Sequence, residues 1–244
     1  MNLLRLPRGA LALWVVALGA GALAVASPSV AAPAVLAVWV VAFAMGEVFW
    51  LPTYGRRGTI STAMMPHLAA VALLPAGQAV APAVCVALLA DLAMQRKPAV
   101  KALYNAALLA ITLRAAGWAW AAGVAAVPHA GVMTAALGLA CAALAYWSVN
   151  RAGVVAIISL AEGVSPWRAW RENFGFLYEA LVHGVEVVVT GILLAAWPRV
   201  GVAGLAALAL VCFFCNDAYR RRNRLERLRV SPRAGRSSGR ARAA

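Results

Sequence analysis

The sequence predicts an all-α protein, a polytopic transmembrane helical bundle of about eight membrane segments (roughly six to eight) with one interfacial amphipathic helix. Three observations carry that expectation. Hydrophobic residues make up 64% of the 244 positions and charged residues only 12%, with a mean hydropathy of +0.81, which is more apolar surface than a soluble core can hide. Apolar runs of membrane-crossing length follow one another along nearly the whole chain. The arginines behind the net charge of +14 gather in short loops and after Asp217 rather than along one amphipathic face; that distribution marks membrane topology and argues against a nucleic-acid surface.

The first run, Leu11 to Ala26, is preceded by Arg5 and Arg8 and followed by the Ser27-Pro28-Ser29 turn. Because a second run, Pro33 to Trp50, follows at once, the first reads as a retained signal anchor rather than a cleaved leader. After Arg56-Arg57 and a turn at Gly58-Thr59-Ile60-Ser61, the run from Ala63 to Leu74 is short for a crossing and carries Pro66 in its first turn, which predicts a tilted or partial span. Gln78 to Met94 crosses next and ends at Arg96-Lys97-Pro98; Leu103 to Val127 returns, with Lys101 at its foot and Pro128-His129 at its close.

Val132 to Leu160 is too long for a perpendicular span and is interrupted by Asn150-Arg151, where a bend or a shallow course is expected. It stops at Glu162-Gly163. Ser165-Pro166 is a helix start, serine as cap and proline at the first helical position, and Trp167, Arg168, Trp170 and Arg171 suit a helix lying in the interface. Val182 to Trp197 and Val200 to Phe214 then read as a helical hairpin around Pro198-Arg199. The transmembrane domain therefore covers residues 1–218, and residues 219–244 form a basic tail. The tail is helix-compatible from Arg220 to Val230 and disordered from Ser231 onward, and it is suited to anionic lipid headgroups. Placing the basic clusters inside puts both termini in the cytoplasm, with Arg114 and Arg199 as exceptions.

A strongly polar side chain facing lipid costs about 3 kcal/mol even on the most lenient scale, so each one marks a functional question. His183 and Glu186, three residues apart, share a helical face and can pair. Asp91 can pair with Arg96 or Lys97, or join a pocket. Arg114 needs a carboxylate, an anionic ligand or outer-leaflet water. His67 lies in a proline-kinked apolar segment of the sort that ligates tetrapyrroles, but its ordinary role is an interhelical hydrogen bond. The candidates for an interhelical ligand-binding site are Glu47, Asp91, Asn105, Arg114 and Asn150.

The sequence offers no catalytic residue and reads as non-enzymatic: it has no His-Glu-x-x-His helix, no Gly-rich phosphate loop and no serine nucleophile elbow. Cys85, Cys141, Cys212 and Cys215 all lie in apolar runs and behave as small hydrophobes; the Cys212-x-x-Cys215 pair has no further ligands nearby, so no metal site is expected. No cofactor is specified.

Several local patterns, in order, resemble a family of bacterial membrane domains. They are Arg57-Gly58-Thr59-Ile60-Ser61, Asp91-Leu92 with Arg96-Lys97-Pro98, Lys101-Ala102-Leu103-Tyr104-Asn105-Ala106-Ala107, Val149-Asn150, and Leu160-Ala161-Glu162-Gly163. Together they are similar to the multi-spanning N-terminal sensory domain that precedes HD-GYP phosphodiesterase and GGDEF cyclase modules. Leu108 stands where that family often has Gln. The resemblance implies a sensory or small-ligand-binding domain in the bacterial cytoplasmic membrane, here without the output module, so that signalling passes to a separate membrane or cytoplasmic protein. Two alternatives share the same sequence features: a structural accessory subunit of a larger membrane complex, and a substrate-capture subunit of a transporter energised by another protein. The partners expected are the lipid bilayer, such a protein, and a small ligand.

Overall fold

The computed structural model describes residues 13, 15–21, 33–48, 50–52, 59–128, 131–174 and 176–234. It describes their side chains except at residue 33, in the two short strands, and at residues 176–178, 208–209, 211–212 and 215–234. Helix α1 is Pro33–Val48. A two-stranded ribbon follows, β1 (Trp50–Pro52) and β2 (Thr59–Ser61), antiparallel with Leu51 opposite Ile60. Next come α2 (Met64–Leu73) and α3 (Val80–Leu89), which runs into a single π-helical turn at Ala90–Met94. The longest elements are α4 (Ala99–Ala126), α5 (Val132–Glu162) and α7 (Phe176–Ala234); the short helix α6 (Pro166–Asn173) joins the last two.

Three helical stretches, Ala99–Ala126, Val132–Glu162 and Glu179–Ala207, are long and apolar enough to cross a bilayer. Helix α7 shows what surroundings they are built for. Its apolar side chains Leu181, Val185, Val188 and Ile192 point outward, each 60–64% exposed, while Glu179, Glu186 and Thr190 are buried at 2% or less. A helix in water turns its polar stripe outward; this inversion fits hydrocarbon outside and polar groups satisfied within.

The long helix is not broken at Asn150-Arg151. α5 is one uninterrupted helix of 31 residues through Asn150-Arg151, ended by Gly163 in the left-handed region at φ 68°. Of Gly58-Thr59-Ile60-Ser61, read as a turn, Thr59–Ser61 forms strand β2, while residues 56–58 lie outside the described residues. Helix α7 extends to Ala234, past the Ser231 at which disorder was expected.

The helical hairpin is present, with its reversal slightly later than Pro198-Arg199. Gly201 alone leaves helical geometry, at φ 47° and ψ −134°, a conformation open to glycine and strained for other residues. A Cβ on Gly204 would sit 2.8 Å from Leu193 Cδ1. In an unbroken helix those residues would lie about 16 Å apart along the axis, so the chain folds back at Gly201.

The α4–α5 hairpin is the tightest pairing. A Cβ on Gly123 would meet the Gly138 Cα at 2.9 Å and the Leu137 carbonyl at 3.0 Å, so the two backbones meet where neither helix carries a side chain, the small-residue packing of membrane helices. Gly123→Val should force them apart and lower stability by about 1–3 kcal/mol, read as a lower unfolding temperature in detergent; Gly117→Val, at a glycine with open space around it, should be near neutral.

Candidate functional site

Helix α2 organises the interior. At ten residues it is about 15 Å long, half the hydrocarbon thickness, and residues Met64 to Ala70 are all buried. A helix apolar on every side is one surrounded on every side; α1, α4, α5 and α7 pack around it. Broken backbone of this kind is tolerated at membrane depth only inside protein. The run is not among the helices long enough to cross a bilayer.

His67 sits in α2, fully buried. Its Nδ1 lies 2.9 Å from the Tyr146 hydroxyl on α5, and its ring stands against Phe43 of α1 at 5.2 Å between centroids. This is the interhelical hydrogen bond expected of it. Its Nε2 has no partner among the described residues.

At one edge of the bundle the π turn places Asp91. Inserting one residue into a helix rotates the side chains that follow, and Asp91 is turned to 5% exposure. The loop then folds back on it: the Lys97 amide bonds the Asp91 carbonyl at 2.9 Å, Arg96 is held at φ 50°, a costly region for a non-glycine residue, and Pro98 caps α4. Lys97 Nζ thereby reaches Asp91 Oδ1 at 2.5 Å, and Asn105 Nδ2 on α4 donates to Oδ2 at 2.7 Å. Glu47, half-buried near the end of α1, feels the charges of both Asp91 and Lys97. Glu47, Asp91 and Asn105 thus come together, joined by Lys97, which the sequence offered only as a surface partner for Asp91.

Arg114 and Asn150 do not join this group through any hydrogen bond or ion pair among the described residues. The Arg114 guanidinium stacks over Trp118 at 5.5 Å. At Asn150 the engaged residue is its neighbour: Arg151 Nη2 pairs with Glu179 Oε1 at 2.5 Å and its guanidinium lies 3.8 Å from the Phe174 ring centroid. Glu179 also accepts from Trp170 Nε1 at 3.1 Å, so a buried ion pair ties α6 to α5 and α7. The predicted cap of α6 is present, Ser165 Oγ accepting from the Arg168 amide at 3.3 Å. Trp167, Arg168 and Arg171 are exposed and Ala169 and Asn173 buried. Glu172, hydrogen-bonded to Arg168 at 2.7 Å, raises that guanidinium's pKa further.

On α7, His183 Nδ1 meets Glu186 Oε2 at 2.6 Å, the pairing their spacing predicts. One turn on, Thr190 Oγ1 donates to the Glu186 carbonyl at 2.8 Å and lies 3.5 Å from the Met65 carbonyl of α2, which brings Glu186 beside the central helix. Tyr146 of α5, buried, is linked to α2 through His67. Glu186 and Tyr146 are buried and His183 pairs with Glu186, though the sequence reading left all three out of the ligand site; the only earlier signal was the three-residue spacing.

No group of three or more His, Cys, Asp or Glu residues that could hold a metal occurs among the described residues. Cys85 and Cys141 are free thiols, and the side chains of Cys212 and Cys215 lie outside the described ones. No protein-family model matches the chain, nor does any curated protein or solved structure.

The Asp91–Lys97 pair makes a quantitative expectation possible. Lys97→Met should cost about 1–3 kcal/mol, less than a fully dry pair because Lys97 retains some solvent contact, whereas Asp91→Asn in the same background should recover part of that loss. A double-mutant cycle on thermal unfolding in detergent checks the coupling; additive losses would mean that the two charges do not interact.

Proposed function

We propose that this protein is a non-enzymatic, membrane-embedded sensory or small-ligand-binding domain that passes its state to a separate protein. The observation that carries this reading is the polar constellation of Glu47, Asp91, Lys97 and Asn105 at the edge of the bundle. These groups are expensive in hydrocarbon and converge from four separate segments. Asp91, Lys97 and Asn105 belong to the stretches that resemble the sensory domains of HD-GYP and GGDEF proteins, which favours a sensing role over a purely structural one. Helix α7 supports coupling to a partner, because beyond Gly201 it continues without interruption into the basic segment ending at Ala234.

In this reading the protein crosses the bacterial cytoplasmic membrane several times with both termini in the cytoplasm, as the excess of Arg and Lys in alternate loops favours. Helix α6 lies along the inner surface, its Trp167 and arginines at the headgroups.

Native mass spectrometry of the protein extracted gently from its own membrane tests the proposal. The wild type should retain a small molecule that Asn105→Ala loses while keeping its elution volume and helical content. Wild-type protein carrying no small molecule, or a ligand retained equally by Asn105→Ala and Asp91→Asn, would contradict it.

A further inference from the structure

We propose that the outward face of α4 around Arg114 is a docking surface for a transmembrane helix of a partner protein, one that carries a carboxylate at matching depth in the membrane. The inference rests on the reading above only in that the protein acts through a separate protein, and it names what that protein presents.

The starting point is a charge with nothing to balance it. The chain has eight acidic residues. Asp91, Glu172, Glu179 and Glu186 are bonded to Lys97, Arg168, Arg151 and His183. Glu47 and Glu162 stand near the ends of α1 and α5, and neither is paired with Arg114. Asp217 and Glu226 follow the last apolar run, among the arginines of the basic segment. Arg114 makes no ion pair or hydrogen bond among the described residues; its guanidinium has only the ring of Trp118, 5.5 Å away.

Depth makes that isolation costly. α4 is long and apolar enough to cross a bilayer, and Arg114 lies about 22 Å from its first residue and about 18 Å from its last at the rise of an α-helix. In a hydrocarbon layer about 30 Å thick it is far from both surfaces. Stacking on Trp118, one turn along, holds the guanidinium close to its own helix, away from the phosphates at either surface. Ionisable residues at such depth face the interior of a bundle or pair with one another. Arg114 does neither: it is half-buried, next to a Trp118 that is 66% exposed. The balancing charge therefore comes from outside the chain.

The surface beside Arg114 has the shape a second helix needs. Gly117, Trp118 and Ala121 follow at the spacings that share one helical face. A Cβ on Gly117 would meet nothing within 4 Å, and Ala121 is exposed. Two small residues four apart allow a neighbouring backbone to approach closely. The other glycine contact on this helix, Gly123 against Gly138, is already taken by α5. A carboxylate on the incoming helix would accept from the guanidinium in a medium without water, where a charge-assisted pair is strongest.

The test uses full-length protein labelled with a donor fluorophore in phosphatidylcholine vesicles, with an acceptor-labelled, lysine-flanked synthetic helix of about 20 Leu and Ala residues bearing one central Asp. Energy transfer should saturate with this peptide, and a peptide with Leu in place of the Asp should associate at least about tenfold more weakly. Arg114→Gln should weaken association with the Asp peptide by a similar factor. Arg114→Lys, which keeps the charge, should retain association and guards against a Gln variant that does not fold. Gly117→Val should weaken association while leaving the protein's own unfolding temperature unchanged.

Equal association of the Asp and Leu peptides with wild type, or of the Asp peptide with wild type and folded Arg114→Gln, would overturn the proposal. So would displacement of the Asp peptide by phosphatidylglycerol, which would make a lipid phosphate the occupant, or association between copies of this chain that Arg114→Gln abolishes, which would make the occupant a second copy. If the Asp peptide fails to associate while native mass spectrometry finds the Asn105-dependent small molecule, this inference falls and the ligand-binding reading stands. If the peptide associates as expected and no small molecule is retained, the docking surface stands and the ligand-binding reading falls.

Discussion

Hydrocarbon offers no hydrogen bonds, and that single fact orders the molecule. Most of the buried polar side chains described above pair with another group inside the protein, and these pairs hold the helices in place. Glu179 joins Arg151 and Trp170, fixing α7 and α6 against α5. Asp91 joins Lys97 and Asn105, closing the loop between the π turn and α4. Thr190 approaches the Met65 carbonyl and His67 meets Tyr146, so the short central helix is tied from two sides. Apolar contact alone would discriminate poorly among such alternatives, since lipid tails are as apolar as leucine.

The same constraint explains why α2 can be short. Ten residues cannot reach across a bilayer, and their free helix ends would be intolerable in lipid. Surrounded by α1, α4, α5 and α7, the segment is shielded, and its central His67 bonds Tyr146 of α5. Close backbone approach at Gly123 and Gly138 brings the α4–α5 pair near enough to form one wall. What makes the interior polar also makes its packing specific.

Much of this was legible in the sequence. Run lengths gave the helical class, the shortness of α2 and the pairing of the last two limbs; Ser165-Pro166 marked α6, and the three-residue spacing of His183 and Glu186 anticipated their contact. The failures have physical causes. Three-residue strands are too short to show alternation, so the β1–β2 ribbon had no signal. Asn150-Arg151 looked like an interruption because a charge in an apolar run is costly, but Glu179 compensates it and α5 continues. Pro198 and Arg199 remain helical because the reversal falls on Gly201, which can adopt the required backbone. Tyr146 is 79 residues from His67, and no local pattern connects them; an apolar-run reading sees a tyrosine hydroxyl as one more aromatic.

Helix α7 turns its apolar face outward, toward lipid, and its polar face inward. Spin labels attached one at a time in a cysteine-free background, at Leu181→Cys, Val185→Cys, Val188→Cys and Ile192→Cys, test it most directly in proteoliposomes. All four positions should show high accessibility to membrane-dissolved oxygen and low accessibility to a water-soluble nickel chelate, while Thr190→Cys, on the buried face, should be shielded from both. High nickel accessibility along the Leu181–Ile192 stripe would contradict the account, because that face would then be in water.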